Sequence, residues 1–295
     1  MKRIITRIKG GLGNQLFCYA AARRLAIIND AELVIDNISG FTRDHIYKRQ
    51  YMLSHFNIPA RFTTSNERLM PFEHYRRGLF KWISSRKRFE SRQYVEQENN
   101  DFDKRLLSIK VNGTIYLDGY WQSEQYFTDI ESTIRQDLEI IPPKDKTNLD
   151  VAELINNTNA VCIHVRWFDT PNNENIGNNI GIEYYKQAIS ITNKLLDNKH
   201  FFIFSDYPNE TKNLLKIDEN ICTYINHNKG DENAYADLWL MSLCKNFIIA
   251  NSTFSWWGAW LSQNPTKIVI APTKIKNGEG SWGFKGLFPE SWILI

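Results

Sequence analysis

The chain has 295 residues and lacks the sequence features of several common protein classes. Its four cysteines include no C-x-x-C pair and have no histidine cluster beside them. This pattern argues against a zinc site and against a disulfide scaffold. No run approaches the length of a membrane-spanning segment, and the N-terminal residues lack the apolar core of a signal peptide. We therefore expect a cytoplasmic protein that does not span a membrane.

Neither sign of charge dominates the sequence. The 36 Lys and Arg residues and 33 Asp and Glu residues give a net charge of +3, which is too small to indicate a nucleic-acid partner. There is no G-x-x-x-x-G-K-[ST] phosphate loop and no cluster of metal-ligating residues. Asp101-Phe-Asp103 has the form of a metal-binding D-x-D motif, but it follows polar residues, so we expect it to begin a surface helix. The sequence gives no reason to expect a bound metal.

What the sequence does contain is an alternation of strand and helix patterns. Apolar runs predict strands at 4–8, 33–36, 160–165, 201–204, 221–225, 247–250 and 268–271, and the stretch 115–123 predicts a strand leading to a polar aromatic loop. The best candidate linker is 141–149, which has two prolines and several charges. The pattern predicts an α/β protein with two doubly wound domains, at 1–145 and 150–280. We expect the aromatic tail, 281–295, to pack back on the first domain.

A glycine-rich turn links the first predicted strand to the first helix. Gly11 and Gly13 match two glycines of a dinucleotide-binding fingerprint, but Leu16 stands where the third belongs. Asp36 lies about 20 residues further on, as that fingerprint requires. The missing glycine disfavours NAD or FAD binding, because helix and strand cannot approach in the usual way. We expect the backbone N–H groups of this turn and the Asn14 side chain to face a ligand, since glycine permits close approach.

Polar residues follow three predicted strands of the second half. Arg166 follows a buried strand, where a guanidinium needs an anion to offset its desolvation. Ser252 and Thr253 begin a helix whose first N–H groups and hydroxyls can bind phosphate, although a simple N-cap is the alternative. Asp206 ends another strand, and it could accept hydrogen bonds from a guanine ring or cap the next helix. Because ligands of such folds bind at the carboxyl ends of strands, these residues predict a nucleotide-diphosphate site.

Two further groups of residues adjoin this predicted site. His164 lies two residues before Arg166 on the same face of its strand, and we favour a ligand contact over a core histidine. Three tryptophans, Trp256, Trp257 and Trp260, follow the hydroxyl residues. We expect them to pack the helix that presents those hydroxyls instead of contacting sugar.

The segment 76–92 carries seven basic residues and one acidic residue. Leu79, Trp82, Ile83 and Phe89 fall on one face of the helix that it predicts. One interpretation is a solvated surface helix. A more specific interpretation is an interfacial helix that lies on anionic lipid. A nucleic-acid groove is the least favoured. We predict a peripheral contact with an anionic membrane at its inner face through this segment, and no nucleic-acid partner.

Six stretches of the chain together resemble one family of enzymes. They lie at 10–17, 116–123, 164–166, 204–206, 237–244 and 251–261. The combination resembles the bacterial α-1,2-fucosyltransferases of glycosyltransferase family 11 over nearly the whole chain, and the last stretch is highly specific. The resemblance implies a GT-B-like fold, in which two Rossmann-type domains face across a cleft. It also implies GDP-β-L-fucose as donor and co-substrate, inversion at the anomeric carbon, and no required metal or other cofactor.

The resemblance further implies roles for individual residues. Arg166 matches the arginine that meets the donor pyrophosphate, and Asn14 matches a residue that faces the nucleotide across the cleft. Ser252 and Thr253 match phosphate-side donors, and Asp206 matches a base-side acceptor. The predicted donor-binding set is Gly11, Gly13, Asn14, His164, Arg166, Asp206, Ser252, Thr253 and Phe254.

The predicted reaction is a single in-line displacement. The 2-hydroxyl of a galactose, in a glycan that could be a lipid-linked intermediate of O-antigen-like surface polysaccharide synthesis, attacks C1 of fucose. Arg166 stabilises the charge that develops on the leaving GDP. Asp169 is the nearest carboxylate in sequence and the candidate general base, although it could instead orient Arg166 or its loop.

The chain also departs from the family pattern. Trp167 stands where the family usually has a second arginine, so Arg166 must carry the cationic role alone. This departure leaves a second hypothesis open, a catalytically impaired carbohydrate- or nucleotide-binding protein. A third hypothesis, an NAD enzyme, is disfavoured by Leu16 in the glycine turn.

Overall fold

The computed structural model describes residues 1–167, 179–273 and 282–295, and it divides into two compact units. The first unit comprises Met1–Ile141 and Lys285–Phe288, and the second unit comprises Pro142–Phe284 and Pro289–Ile295. Each unit contains its own sheet, and all strand pairs in both sheets are parallel. The predicted α/β class is confirmed.

The first unit is built on a five-stranded sheet in the order β3-β2-β1-β5-β4. Its strands are β1 (Arg3–Arg7), β2 (Glu32–Asp36), β3 (Arg61–Phe62), β4 (Tyr94–Glu96) and β5 (Thr114–Asp118). Its helices are α1 (Leu12–Ile28), α2 (Glu73–Ser85) and α3 (Glu131–Asp137). The β1–α1–β2 order with parallel β1 and β2 is the predicted opening βαβ unit. Leu16 and Phe17 of α1 are fully buried, which places this helix in the core of the unit.

The second unit is built on a six-stranded sheet in the order β11-β10-β9-β6-β7-β8. Its strands are β6 (Asn159–Val165), β7 (Lys199–Ser205), β8 (Cys222–Ile225), β9 (Asn246–Ile248), β10 (Val269–Ala271) and β11 (Ile293–Leu294). Its helices are α4 (Lys146–Asn156), α5 (Ile182–Leu195), α6 (Pro208–Leu215), α7 (Ala234–Leu243) and α8 (Thr253–Leu261). The central strand β6 is buried from Ala160 to Val165, as a parallel strand covered on both faces requires.

Three sequence-based assignments need correction. The predicted linker is shorter than 141–149, because Asp145 accepts the N–H of Asn148 and caps α4, which begins at Lys146. Strands β3, β4 and β11, which have two or three residues each and lie at sheet edges, are missing from the sequence-based prediction. Phe89 does not share a face with the apolar residues of α2, because it lies beyond that helix and is buried.

The aromatic tail is divided between the units. Lys285 groups with the first unit, where its carbonyl accepts the N–H of Phe102 at 2.8 Å and its N–H donates to Asp101 Oδ1 at 3.0 Å. Strand β11 pairs with β10 in the sheet of the second unit. Asp103 caps a short 3₁₀ helix at 104–108, so the D-x-D motif begins a helical turn as predicted.

Candidate active site

Three strand ends in the second unit carry the polar residues that the sequence singled out. The sheet order makes β9, β6 and β7 neighbours, and their register pairs Ile163 with Ile248 on β9 and His164 with Phe204 on β7. Arg166 follows β6, Asp206 follows β7, and Ser252 lies between β9 and α8. Parallel strands direct their carboxyl ends to one edge of the sheet, so these residues occupy the same edge.

Arg166 and Asp206 form an ion pair at this edge. The Nη1 of Arg166 lies 2.9 Å from Oδ2 of Asp206, and the two side chains are 33% and 25% exposed. The other carboxylate oxygen accepts the N–H of Trp167 at 3.1 Å. Burial raises the pKa of Asp206, while the charge of Arg166 and the Trp167 N–H act in the opposite direction. Asp206 therefore positions the guanidinium. The family resemblance matches Asp206 to an acceptor on the base side of the donor, and it does not indicate this contact with Arg166.

His164 lies in β6, two residues before Arg166, and is buried. Its ring centroid is 5.7 Å from that of Phe254, and the rings are tilted by 54°. Burial, with a smaller contribution from Arg166, lowers the pKa of His164 to about 3. Among the described residues, its Nδ1 has no hydrogen-bond partner. His164 is thus a neutral ring at neutral pH, and the described residues leave its Nδ1 available for a hydrogen bond.

The N-terminus of α8 adjoins the same edge. Ser252 is the N-cap, and its Oγ accepts the N–H of Phe254 at 3.3 Å. The Ser252 O–H can still donate to a ligand, because capping uses only the oxygen. The first turn of α8 contains no acidic residue, so the positive end of the helix dipole is not neutralised from within the helix. Cap and phosphate donor are therefore compatible roles for Ser252.

The tryptophans of α8 pack its inner side, as predicted. Trp256 and Trp257 are fully buried and Trp260 is 4% exposed. The rings of Trp256 and Trp260 are stacked with centroids 6.3 Å apart, and Trp292 of the tail packs on Trp256 at 5.5 Å. This aromatic cluster anchors the helix that carries Ser252 and Thr253.

Trp167, at the family's usual second arginine, is a core residue. It is 9% exposed, and its Nε1 donates to Oγ1 of the fully buried Thr211 at 3.0 Å. Ser205 Oγ lies 2.9 Å from the same Thr211 oxygen. The indole therefore joins the segment after β6 to α6.

Sequence reasoning missed two tyrosines at the start of α5. Tyr185 donates its hydroxyl to the carbonyl of His164 at 3.3 Å. The Tyr184 hydroxyl lies 2.7 Å from the carbonyl oxygen of Ile249 and 3.0 Å from that of Ile270, and its one proton is shared between them, so it bridges the ends of β9 and β10. The adjacent tyrosines are visible in the sequence, but their partners are 21 to 86 residues away. Nothing local indicates these contacts.

In the first unit, the glycine turn has a defined conformation. Gly10 has φ +76°, and a Cβ at this position would lie 2.9 Å from Asn14 Nδ2. Gly11 precedes α1 as its N-cap, and Gly13 is buried in the first turn. The Oδ1 of Asn14 accepts Gln122 Nε2 at 2.7 Å. The glycine whose conformation the turn requires is thus Gly10, a position that the fingerprint comparison passed over.

The carboxyl ends of the first unit's strands also carry charged residues. Asp118 of β5 is buried and receives Lys9 Nζ at 2.7 Å, Arg7 Nη1 at 3.3 Å and the Tyr94 hydroxyl at 2.6 Å. Burial by itself would raise the pKa of Asp118, but the charges of Lys9 and Arg7 outweigh it and hold the pKa below its ordinary value. Asp118 is therefore a fixed anion that orders the surrounding cations.

Asp169, the candidate general base, lies outside the described residues. Across 1–167, 179–273 and 282–295, no three His, Cys, Asp or Glu side chains are grouped as ligands for a metal. Within the same ranges, no helix combines the length and apolar character needed to cross a bilayer.

Solved structures with the same arrangement of elements define the fold class. NodZ α-1,6-fucosyltransferase, in a crystal soaked with GDP-fucose, superposes with a TM-score of 0.54 at 14% identity and covers 95% of this chain and 97% of its own. FUT1 of Arabidopsis thaliana, as a point mutant in complex with GDP, gives 0.53 at 14% identity over 91% of this chain and 70% of its own. The fold is therefore that of the GT-B fucosyltransferases, as the sequence implied.

The chain belongs to glycosyl transferase family 11, whose family model matches residues 3–295. An α-1,2-colitosyltransferase of Escherichia coli is 32% identical over 308 residues, covering 100% of this chain and 99% of that protein. The O-antigen biosynthesis glycosyltransferase WbnK, also of Escherichia coli, is 31% identical over 98% of this chain and 99% of its own. The membership in family 11 that the six sequence stretches indicated is confirmed.

Proposed function

We propose that this protein transfers L-fucose from GDP-β-L-fucose to the 2-hydroxyl of a galactose, with inversion and without a metal, in the synthesis of an O-antigen-like surface polysaccharide. Family membership makes it a glycosyltransferase. The naming of WbnK for O-antigen biosynthesis supports the pathway, and the neighbours with GDP-fucose or GDP support the donor. The observation that carries the proposal is Arg166, fixed by Asp206 at the end of β6.

The chemistry follows from that position. As the acceptor oxygen attacks C1 of fucose, the bond from C1 to the GDP oxygen breaks and negative charge grows on the diphosphate. Arg166 and the N-terminus of α8, with Ser252 and Thr253, are proposed to stabilise that charge. Because they do so more strongly in the transition state than in the bound donor, they accelerate the reaction. The proton of the acceptor hydroxyl passes to a base, for which Asp169 is the sequence-based candidate.

The substitution Arg166→Ala tests this role. It removes a cationic stabiliser of the leaving group, and we expect kcat for fucosyl transfer from GDP-fucose to fall at least about 100-fold. Lys186→Ala is the matched control, because it removes an exposed cation that pairs with Glu183 on α5. Near-normal turnover by the Arg166 variant would contradict the role of Arg166 in stabilising the leaving group.

Colitosyl transfer is a second candidate, favoured by the colitosyltransferase relative at 32% identity. Colitose is L-fucose without its 3-hydroxyl, so the two donors differ by one hydrogen-bonding group. A site that binds the hydroxyl rejects the deoxy sugar strongly, whereas a site shaped for the deoxy sugar discriminates weakly. Comparing kcat/KM for the two GDP-sugars with one galactoside acceptor decides between them. A clear preference for the colitose donor would overturn the fucosyl proposal and leave the glycosyltransferase role intact.

The binding-protein hypothesis makes a different prediction for the same assays. A catalytically impaired chain would bind GDP in calorimetry but release no GDP from GDP-fucose in the presence of galactosides. The burial of Trp167 speaks against it, because the indole has a packing role that accounts for the lost arginine.

A further inference from the structure

The amphipathic helix α2 is oriented with its apolar face outward. Tyr75, Leu79, Trp82 and Ile83 are spaced as one helical face, and they are 82%, 55%, 56% and 42% exposed. Phe72, which precedes the helix, is 72% exposed. Single exposed apolar residues are ordinary on protein surfaces, but a continuous helical face of them marks a binding surface.

The opposite face of α2 is turned toward the first unit's sheet, and it carries several polar residues beside Phe80, whose ring packs on Tyr116. Arg77 is 7% exposed, and its Nη2 donates to Ser39 Oγ at 2.7 Å. Lys81 pairs with Glu96, and Ser84 Oγ accepts the N–H of Tyr94 at 3.0 Å. These contacts fix the rotation of the helix, because turning the apolar face inward would break the interactions of Arg77, Lys81 and Ser84 with the first unit.

The basic residues of 76–92 divide into two groups. Three are paired with carboxylates of the same unit: Arg77 with Asp36, Lys81 with Glu96 and Asp118, and Arg92 with Glu98. The other four, Arg76, Arg86, Lys87 and Arg88, are exposed, and no ion pair among the described residues includes them. The guanidinium of Arg86 lies 3.3 Å above the ring centroid of Trp82, so charge and apolar face are contiguous.

We propose that the outer face of α2, together with the exposed cations Arg76, Arg86, Lys87 and Arg88, docks on the surface of an anionic lipid bilayer. The apolar side chains would enter the boundary between headgroups and acyl chains, and the cations would meet lipid phosphates. Tryptophan and tyrosine suit that boundary because their rings are apolar and each carries one polar group. The α2 surface would then hold the protein against the membrane by peripheral contact.

A second copy of the chain is a poorer occupant for this surface. A symmetric contact would bring the exposed cations of one α2 surface against the same cations of its partner, and like charges repel at an interface. Anionic lipid supplies the opposite charge along with an apolar layer.

Flotation of the full-length protein with vesicles tests the proposal. Wild type should float with phosphatidylcholine–phosphatidylglycerol vesicles and much less with phosphatidylcholine alone. The combined substitution Arg76→Gln, Arg86→Gln, Lys87→Gln and Arg88→Gln should weaken partitioning at least about 10-fold. The matched control changes four exposed lysines of the second unit, Lys144, Lys186, Lys194 and Lys216, to Gln, and it should float like wild type.

The apolar face is tested separately with Leu79→Gln and Trp82→Gln. Because both side chains are exposed, the variant should fold and retain its melting temperature, yet lose flotation. Brominated lipid should quench tryptophan emission in wild type and quench it less in Trp82→Phe.

Three outcomes would overturn the proposal: wild type that does not float, a charge variant that floats equally well, or a concentration-dependent dimer in light scattering that Trp82→Gln abolishes. The last would assign the surface to a second copy. Glycosyl transfer to a soluble acceptor should be unchanged in every α2 variant, so this test stands apart from the proposed reaction.

Discussion

The carboxylate of Asp206 binds the guanidinium of Arg166 at 2.9 Å and, through its second oxygen, the backbone N–H of Trp167 at 3.1 Å. Both partners belong to the segment that follows β6, while Asp206 follows β7. One side chain thus links two neighbouring strand ends and fixes the direction of the cation.

The first prediction concerns this link. Asp206→Ala leaves Arg166 without its anchor, and we expect kcat to fall about 10- to 100-fold because a misplaced stabiliser loses its effect in the transition state. Asp206→Asn keeps an acceptor for the Trp167 N–H, so its loss of kcat should be smaller.

If Asp206 instead contacts the nucleotide base, KM for the donor would rise while kcat stayed the same. Steady-state kinetics at varied donor concentration separate these outcomes. In a double-mutant cycle with Arg166→Ala, a positioning role requires strongly non-additive losses.

The second prediction concerns Trp167. Trp167→Phe removes the hydrogen bond to Thr211, and we expect the free energy of unfolding in urea to fall by about 1 kcal/mol. Trp167→Arg restores the family's usual residue but places a charge where an indole is buried, so it should destabilise by several kcal/mol and bring no gain in turnover. The same changes at the exposed Trp82 are the control and should alter the free energy by less than about 0.5 kcal/mol. If the Trp167→Arg enzyme were more active than wild type, that result would support the hypothesis of a catalytically impaired binding protein.

The third prediction concerns the protonation of His164. Since its pKa is lowered to about 3, the ring should stay neutral from pH 8 down to pH 5. Its imidazole signals in NMR, assigned by their loss in His164→Gln, should not shift over that range. The unfolded chain takes up the proton near pH 6.5, so the stability that neutral His164 contributes is full above that pH and declines as pH falls below it. A His164 signal that titrates near pH 6.5 would contradict the desolvated ring.

The fourth prediction concerns Asp237 of α7. Burial raises its pKa to about 7, although the Asn228 Nδ2, 2.9 Å from Oδ1, favours the ionised form. Because the folded-state pKa exceeds the unfolded value, its contribution to stability is full below about pH 4 and is lost as pH rises through about 7. The loss amounts to about 1.4 kcal/mol per pH unit within that window.

Asp237→Asn isolates this effect, since it keeps an acceptor for Asn228 and cannot ionise. The melting temperature of the variant relative to wild type should rise between pH 5 and pH 8. Asp150→Asn, at an exposed position on α4, is the control and should show no such trend. A difference between Asp237→Asn and wild type that is constant with pH would rule out a protonated Asp237.

Much of the architecture could be predicted from local patterns. The apolar runs around β6, β7 and β9 located the central strands, because a strand buried on both faces needs continuous apolar residues. Residues at their ends could then be assigned to one edge of the sheet, since parallel strands share a direction. The short strands β4 and β11 were not predicted; each is an edge strand that pairs with a single neighbour, β5 or β10.

By itself, the sequence determined the two α/β halves, the family and the group of polar residues at the strand ends of the second unit. The tertiary structure decided which contacts those residues make. It paired Arg166 with Asp206, buried Trp167 against Thr211, and turned the apolar face of α2 outward. The physical reason is the same in each case. An apolar pattern can be seen among residues that are close along the chain. The partner of a polar group can lie far along the sequence, and it is fixed only when the sheet forms.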